Sequence, residues 1–207
     1  MRVLIYFIAV VILVSCNKKE EVEPVSSPGF LEGYLKANSR IGVSEVNEPN
    51  VNPHEKELDI YRGYYIVPSS NIKINALGAR MPEKGTYEIT VTSGALWDFV
   101  NRDHILVDSI TIGDTSKFQF KSVDQGLALS ANNRYLIAIK YKKHNSVYEA
   151  KYQDHQPNGV NSFLIPLVIN DIEIESLFYH GTRDYYPVKG GIEAIRGLVD
   201  FKYELIK

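Results

Sequence analysis

A single cysteine, Cys16, is all the thiol chemistry this chain has. One cysteine makes no internal disulfide and builds no Cys-rich zinc or iron-sulfur site. Charge of one sign is also missing. The 23 Lys and Arg stand against 25 Asp and Glu, a formal net charge of -2, which gives no basic field for gripping a phosphate backbone. Nucleic acid is therefore not an expected partner. The longest apolar run, Val3 to Val14, has twelve residues, roughly 18 Å of helix against a hydrocarbon core of about 30 Å, so a stable transmembrane helix is disfavoured. Catalytic signatures are lacking as well: there is no G-x-S-x-G elbow, H-E-x-x-H motif, P-loop or G-x-G-x-x-G fingerprint. The sequence nominates no catalytic residue, no metal site and no cofactor, and an enzyme is not the expectation.

What is present is ordinary globular material: 207 residues, 44% hydrophobic and 23% charged, enough for one sizeable domain with extras. Met1, Arg2 and the short apolar run have the form of a secretory signal over residues 1–15. Leu13-Val14-Ser15-Cys16 follows, and it resembles the bacterial lipobox, in which the cysteine is lipidated and becomes the first residue. A thiol can be alkylated by diacylglycerol, and cleavage before it frees an amine for a further acyl chain such as palmitate. Two or three chains, at about 0.8 kcal/mol per buried methylene, hold far better than one. The lipid bilayer is thus the first expected partner, through Cys16. The charged cluster Asn17-Lys18-Lys19-Glu20-Glu21 resembles the export signal of Bacteroidetes-type surface lipoproteins, which implies the outer membrane and a surface-exposed domain.

From Asn17 to about Lys56 the chain is rich in Glu, Ser, Asn and Pro, so residues 16–56 read as lipidated cysteine and tether. Phe30, Leu31, Tyr34 and Leu35 are spaced to form one helical turn or to dock on the domain, although Gly29 and Gly33 weaken a helix. From Glu57 the pattern changes to period-two alternation bounded by turn residues, the signature of half-buried antiparallel strands. Ile72, Ile74 and Ala76 share a face. Tyr87, Ile89 and Val91 alternate with Glu88, Thr90 and Thr92. Tyr135, Ile137, Ile139 and Tyr141 form the longest uninterrupted alternation, and Val199, Phe201, Tyr203 and Leu205 oppose Asp200, Lys202 and Glu204. Eight or more such strands over residues 57–207 predict an all-β antiparallel sandwich of jelly-roll type.

The order of these strands resembles a bacterial extracellular domain, domain-of-unknown-function family 4082. The resemblance rests on Gly63-Tyr64-Tyr65-Ile66, on Ile72-Lys73-Ile74-Asn75-Ala76-Leu77-Gly78 against the family's I-x-V-x-A-L-G, and on Ala95-Leu96-Trp97-Asp98. Further on, Leu127-Ala128-Leu129, Tyr135-Leu136-Ile137-Ala138, Tyr186-Pro187 and Leu198-Val199-Asp200-Phe201 extend it to about Leu205. It implies a secreted sandwich found beside glycan-processing and adhesive modules, and no reaction.

Candidate ligand residues are aromatic. Fourteen tyrosines include the clusters Tyr61, Tyr64, Tyr65 and Tyr185, Tyr186, and a tyrosine offers both a ring and a hydroxyl to a polar ligand. Parity places Tyr64 and Tyr65 on opposite faces, so one of them is expected at the surface. Trp97 has a strand context that favours the core, while its flat indole keeps it a candidate sugar platform. The histidines His54, His104, His144, His155 and His180 form no local ligand pair, and Asp98, Asp103 and Asp108 lack the Gly-punctuated loop of a calcium site. The expected function is a non-catalytic binding or adhesive module, with glycans as a candidate ligand. The alternative is an accessory subunit packed against another envelope protein.

Overall fold

The computed structural model describes residues 27–47, 59–94, 104–142, 146–153, 163–180, 185–188 and 192–206. One short helix, α1 (Phe30–Ala37), is followed by β1 (Ile41–Asn47), β2 (Asp59–Pro68), β3 (Ile72–Arg80), β4 (Gly85–Ser93), β5 (His104–Ile112), β6 (Gln119–Leu129), β7 (Tyr135–Lys142) and β8 (Ser146–Tyr152). The remaining strands are β9 (Phe163–Leu164), β10 (Leu167–Ile169), β11 (Ile172–His180), β12 (Tyr185–Val188), β13 (Ile192–Glu193), β14 (Ile195–Arg196) and β15 (Leu198–Leu205). The largest sheet runs β10-β11-β2-β7-β4-β5, with β12 also on β11. Two three-stranded sheets run β15-β3-β6 and β1-β8-β14, and β13 pairs with β9. All pairings are antiparallel, as expected of an all-β sandwich.

The core lies where alternation demands it. Tyr135, Ile137, Ile139 and Tyr141 of β7 are all buried, beside Ile60, Tyr64 and Ile66 of β2 and Tyr87, Ile89 and Val91 of β4. Ile72, Ile74 and Leu77 of β3, with Val199 and Phe201 of β15, belong to the same core. Alternation fails once within β3. Pairing with β15 skips Asn75, so beyond this bulge Leu77 and Ala79 take the core face and Ala76 leaves it. On β6 the same irregularity coincides with Gln125 and Gly126, both at positive φ (60° and 68°).

Two expectations are corrected here. Residues 30–47 are not tether: Phe30 and Leu31 are buried in the main core, and β1 pairs with β8 from Ile41↔Tyr152 to Asn47↔Ser146. The folded unit therefore begins well before Glu57. Asp200, expected on the polar face of β15, is fully buried, because α1 lies against that strand.

Candidate binding site

The tyrosine clusters part ways in the structure. Tyr64 and Tyr65 do point to opposite faces of β2, but both are fully buried. Tyr64 enters the main core and donates its hydroxyl to the Val199 carbonyl at 3.0 Å. Tyr65 joins a second buried cluster with Leu136, Ala138 and Phe178 on the other side of the sheet, its ring edge-on to Phe178 at 5.9 Å. The parity argument therefore holds while its conclusion fails. A face that alternation assigns to solvent is apolar at these positions, so neither ring serves as an exposed platform.

Tyr61 is half-buried at the margin of the second cluster. Strand register sets a row across the sheet at its level: Glu88, Lys140, Tyr61, His180 and Tyr185 occupy opposed positions on β4, β7, β2, β11 and β12. Lys140 lies 5.6 Å from the Tyr61 ring centroid and 3.1 Å from an Asp59 oxygen. That contact with Asp59 holds the Lys140 ammonium above its ordinary range. Burial opposes the charge of Asp59, yet Lys140 and Lys142 outweigh it and keep the carboxyl low. His180, 6.1 Å from Tyr61 between ring centroids, is pushed down by burial. Tyr185 and Tyr186 are placed as backbone on β12, opposite His180 and Tyr179, while Cys16 and Trp97 lie outside the described residues.

The inner side of the same rows carries a different chemistry. Arg62 interrupts the apolar series Ile60, Tyr64 and Ile66. Its Nε donates to the Tyr141 hydroxyl at 2.8 Å, and its guanidinium lies 4.4 Å over the Tyr179 ring. Arg196 of β14 donates through Nε to Glu149 at 2.5 Å, and Lys151 approaches the same carboxylate at 3.2 Å. Burial opposes the Glu149 charge, but Arg196 and Lys151 prevail and hold it below the usual range. Arg62, Tyr179 and Arg196 line a cleft of about 130 Å³.

Alternation did not mark the third place. The Asp200 carboxylate accepts the N–H groups of Leu31 at 2.8 Å and Glu32 at 2.9 Å, capping α1 from β15, and that of Phe201 at 2.7 Å. Burial pushes this carboxyl up to about 7, partly offset by the three N–H donors. Beside α1 runs a groove of about 440 Å³ bordered by Phe30, Tyr34, Lys202 and Tyr203. A buried acid on a strand, with an unexplained helical turn far upstream, was the available signal, and it needed the long-range contact to be interpreted.

Asp108, one of the three calcium candidates, is engaged by Lys121 and by the Ser109 N–H, while Asp98 and Asp103 lie outside the described residues. Among the described residues no group of three His, Cys, Asp or Glu side chains is placed to hold a metal ion. Of the histidines, His104 on β5 pairs with the Thr92 hydroxyl at 2.8 Å, four strands across the sheet from His180 on β11. His54, His144 and His155 lie outside the described residues. Among the described residues no helix is long and apolar enough to cross a membrane. A scan against protein-family models, a search of curated proteins and a search of solved structures each returned no match.

Proposed function

We propose that this chain is a lipid-anchored envelope protein whose β-sandwich acts as a non-catalytic binding or adhesive module, with glycans as its ligand class. The observation that carries the reading is the position of its one cysteine. Cys16 directly follows Leu13-Val14-Ser15, and only ten residues, 17–26, separate it from Ser27, the first described residue. Fully extended, ten residues reach roughly 35 Å, so the sandwich would sit close to the lipid surface. The outer membrane, with the domain exposed, is the location this reading assigns. Half-buried tyrosine, lysine and arginine groups at the rim of the largest sheet support polar-ligand binding, since each offers an apolar stem or ring with a polar tip.

The test joins anchoring to recognition. Cys16→Ala is expected to abolish incorporation of labelled palmitate and to shift the mature protein out of the detergent phase, and a glycan array with the intact chain is expected to return a defined family of sugars. A Cys16→Ala protein that still partitions with detergent after signal removal would sink the anchor.

One observation favours the accessory-subunit alternative. β5 ends its sheet among the described residues, and it exposes Ile105 and Val107. An edge strand with exposed apolar side chains is suited to pairing with another protein. Negative arrays across plant, host and bacterial glycans, together with a specific crosslink from β5 to an envelope protein, would establish that alternative.

A further inference from the structure

We propose that the groove between α1, β1 and the loop joining β5 to β6 binds a small amphipathic acid, an aliphatic or aromatic body ending in one carboxylate, with Arg80 as the carboxylate anchor. This site is independent of the glycan reading and uses none of the rim groups that support it. Its floor is the first ground. Ile41 and Val43 lie two apart on β1 and so share a face, Leu35 comes from the last turn of α1, and Phe118 comes from the loop. Phe118 is buried in the main core and the other three lie half-buried against it, so the floor is both apolar and preformed. At about 220 Å³ the groove exceeds the ~150 Å³ cavity that takes benzene, which leaves room for a body of about six to eight carbons.

Arg80, the last residue of β3, supplies the polar end. Its guanidinium lies 4.3 Å over the Tyr148 ring, and its Nε donates to the Thr115 carbonyl at 3.4 Å. The Tyr148 hydroxyl donates to that same carbonyl at 3.1 Å, so ring and guanidinium are tied to one point. A guanidinium held this way has little freedom left to lose on meeting a ligand. With Nε engaged, the edge left for a ligand bears both Nη groups, the geometry of bidentate carboxylate recognition.

Charge fixes the head group. Lys36, Arg80 and Lys117 line the groove together with one acid, Glu32. Glu32 is paired with Lys36 at 2.7 Å, and Lys117 with Asp114 at 3.2 Å. Among the described residues no carboxylate is paired with Arg80, which leaves one positive charge unmatched. A carboxylate supplies one negative charge, whereas a phosphate monoester carries about -1.5 to -2 and overshoots. Sugar hydroxyls would meet no partner on the apolar floor, which favours a hydrocarbon body.

Calorimetry on the full chain in lipid nanodiscs, referenced to empty discs, tests this with octanoate, butanoate, octanamide, octyl phosphate and the dipeptide acetyl-Gly-Leu. Octanoate should bind at least tenfold more tightly than butanoate and octanamide, and more weakly as salt is raised. Arg80→Gln should weaken octanoate tenfold or more, with circular dichroism checking that it folds. A diazirine-bearing octanoate should label Leu35, Val43 or Phe118 of the unaltered chain, a readout that needs no variant. Octanamide binding as tightly as octanoate, affinity unmoved in a folded Arg80→Gln, or labels confined to other residues each overturn the site, as does silence from octanoate at millimolar concentration. Tighter binding of octyl phosphate overturns the carboxylate assignment. Tighter, Arg80-dependent binding of acetyl-Gly-Leu overturns the small acid in favour of a protein C-terminus.

Discussion

Asp200 on β15 and Leu31 in the first turn of α1 are 169 positions apart, and the Asp200 Oδ1 accepts the Leu31 N–H at 2.8 Å. The N-cap position of this helix is Gly29, which has no side-chain oxygen, so the cap that Ser or Asp would supply locally comes from a distant strand. The exchange is enforced by space, because a Cβ on Gly29 would lie 2.2 Å from the Asp200 Oδ2. Sequence, helix and core are therefore joined at one carboxylate.

Removing that carboxylate should be costly. Asp200→Ala leaves the Leu31, Glu32 and Phe201 N–H groups without their acceptor, and a buried donor left unsatisfied costs about 1–3 kcal/mol. Relaxation of the helix end will recover part of this, so a loss of about 2–4 kcal/mol in urea unfolding is expected. A loss under 0.5 kcal/mol would mean that α1 is held by its apolar side chains alone.

The same group sets a pH dependence of unusual sign. The folded carboxyl is raised to about 7, while an unfolded Asp titrates near 3.9. Between about pH 4 and 7 the folded state binds more protons than the unfolded one, so this contribution is full below about pH 4 and is lost as pH rises through 7. Asp59 and Glu149 run the other way, since their lowered values add stability above about pH 4 that disappears on acidification. Wild type minus Asp200→Asn, measured as unfolding free energy across this range, should therefore fall with rising pH. A flat difference would show that Asp200 stays ionised throughout.

Core facing can be checked on β7. Ile137 is fully buried in the main cluster, and Ile137→Ala should cost roughly 2–5 kcal/mol through lost burial and the cavity left behind. Ile105 on β5 is 40% exposed, and Ile105→Ala should stay within about 0.5 kcal/mol. Similar losses in both variants would place β5 inside the packed layer.

How much of this was legible follows from which forces are local. The alternation in β4 and β7 specified strands whose inner faces are now found buried, because period-two burial needs no knowledge of a partner. It failed at Ala76, where the Asn75 bulge reverses parity, and at Tyr65, whose outward face is packed against Phe178. It failed again at Asp200, since the helix that buries and needs this acid lies in a stretch of tether-like composition. At the site, individual tyrosines could be nominated, but Arg62 and Arg196 could not. Their meeting depends on strand register and on the turn at Gly197, neither of which composition encodes.

The boundary of the folded unit offers the last test. A fragment starting at Glu57, where alternation begins, would lack Phe30, whose ring stacks on Phe201 at 4.9 Å, and Leu31, which is fully buried. Burying two such side chains contributes about 1.5–3 kcal/mol each. The fragment also lacks β1, so among the described residues β8 would keep its short pairing with β14 and the Gly197 N–H bond to the Tyr148 carbonyl, and Asp200 would lose two of its three N–H donors. The apolar terms alone come to roughly 3–6 kcal/mol, which in a domain of this size corresponds to a fall of about 6–24 °C in Tm. A fragment starting at Ser27 retains every one of these contacts and should melt with the intact chain. If the Glu57 fragment melts within about 2 °C of the Ser27 fragment, α1 and β1 add nothing to the fold, and the domain does begin where the alternation does.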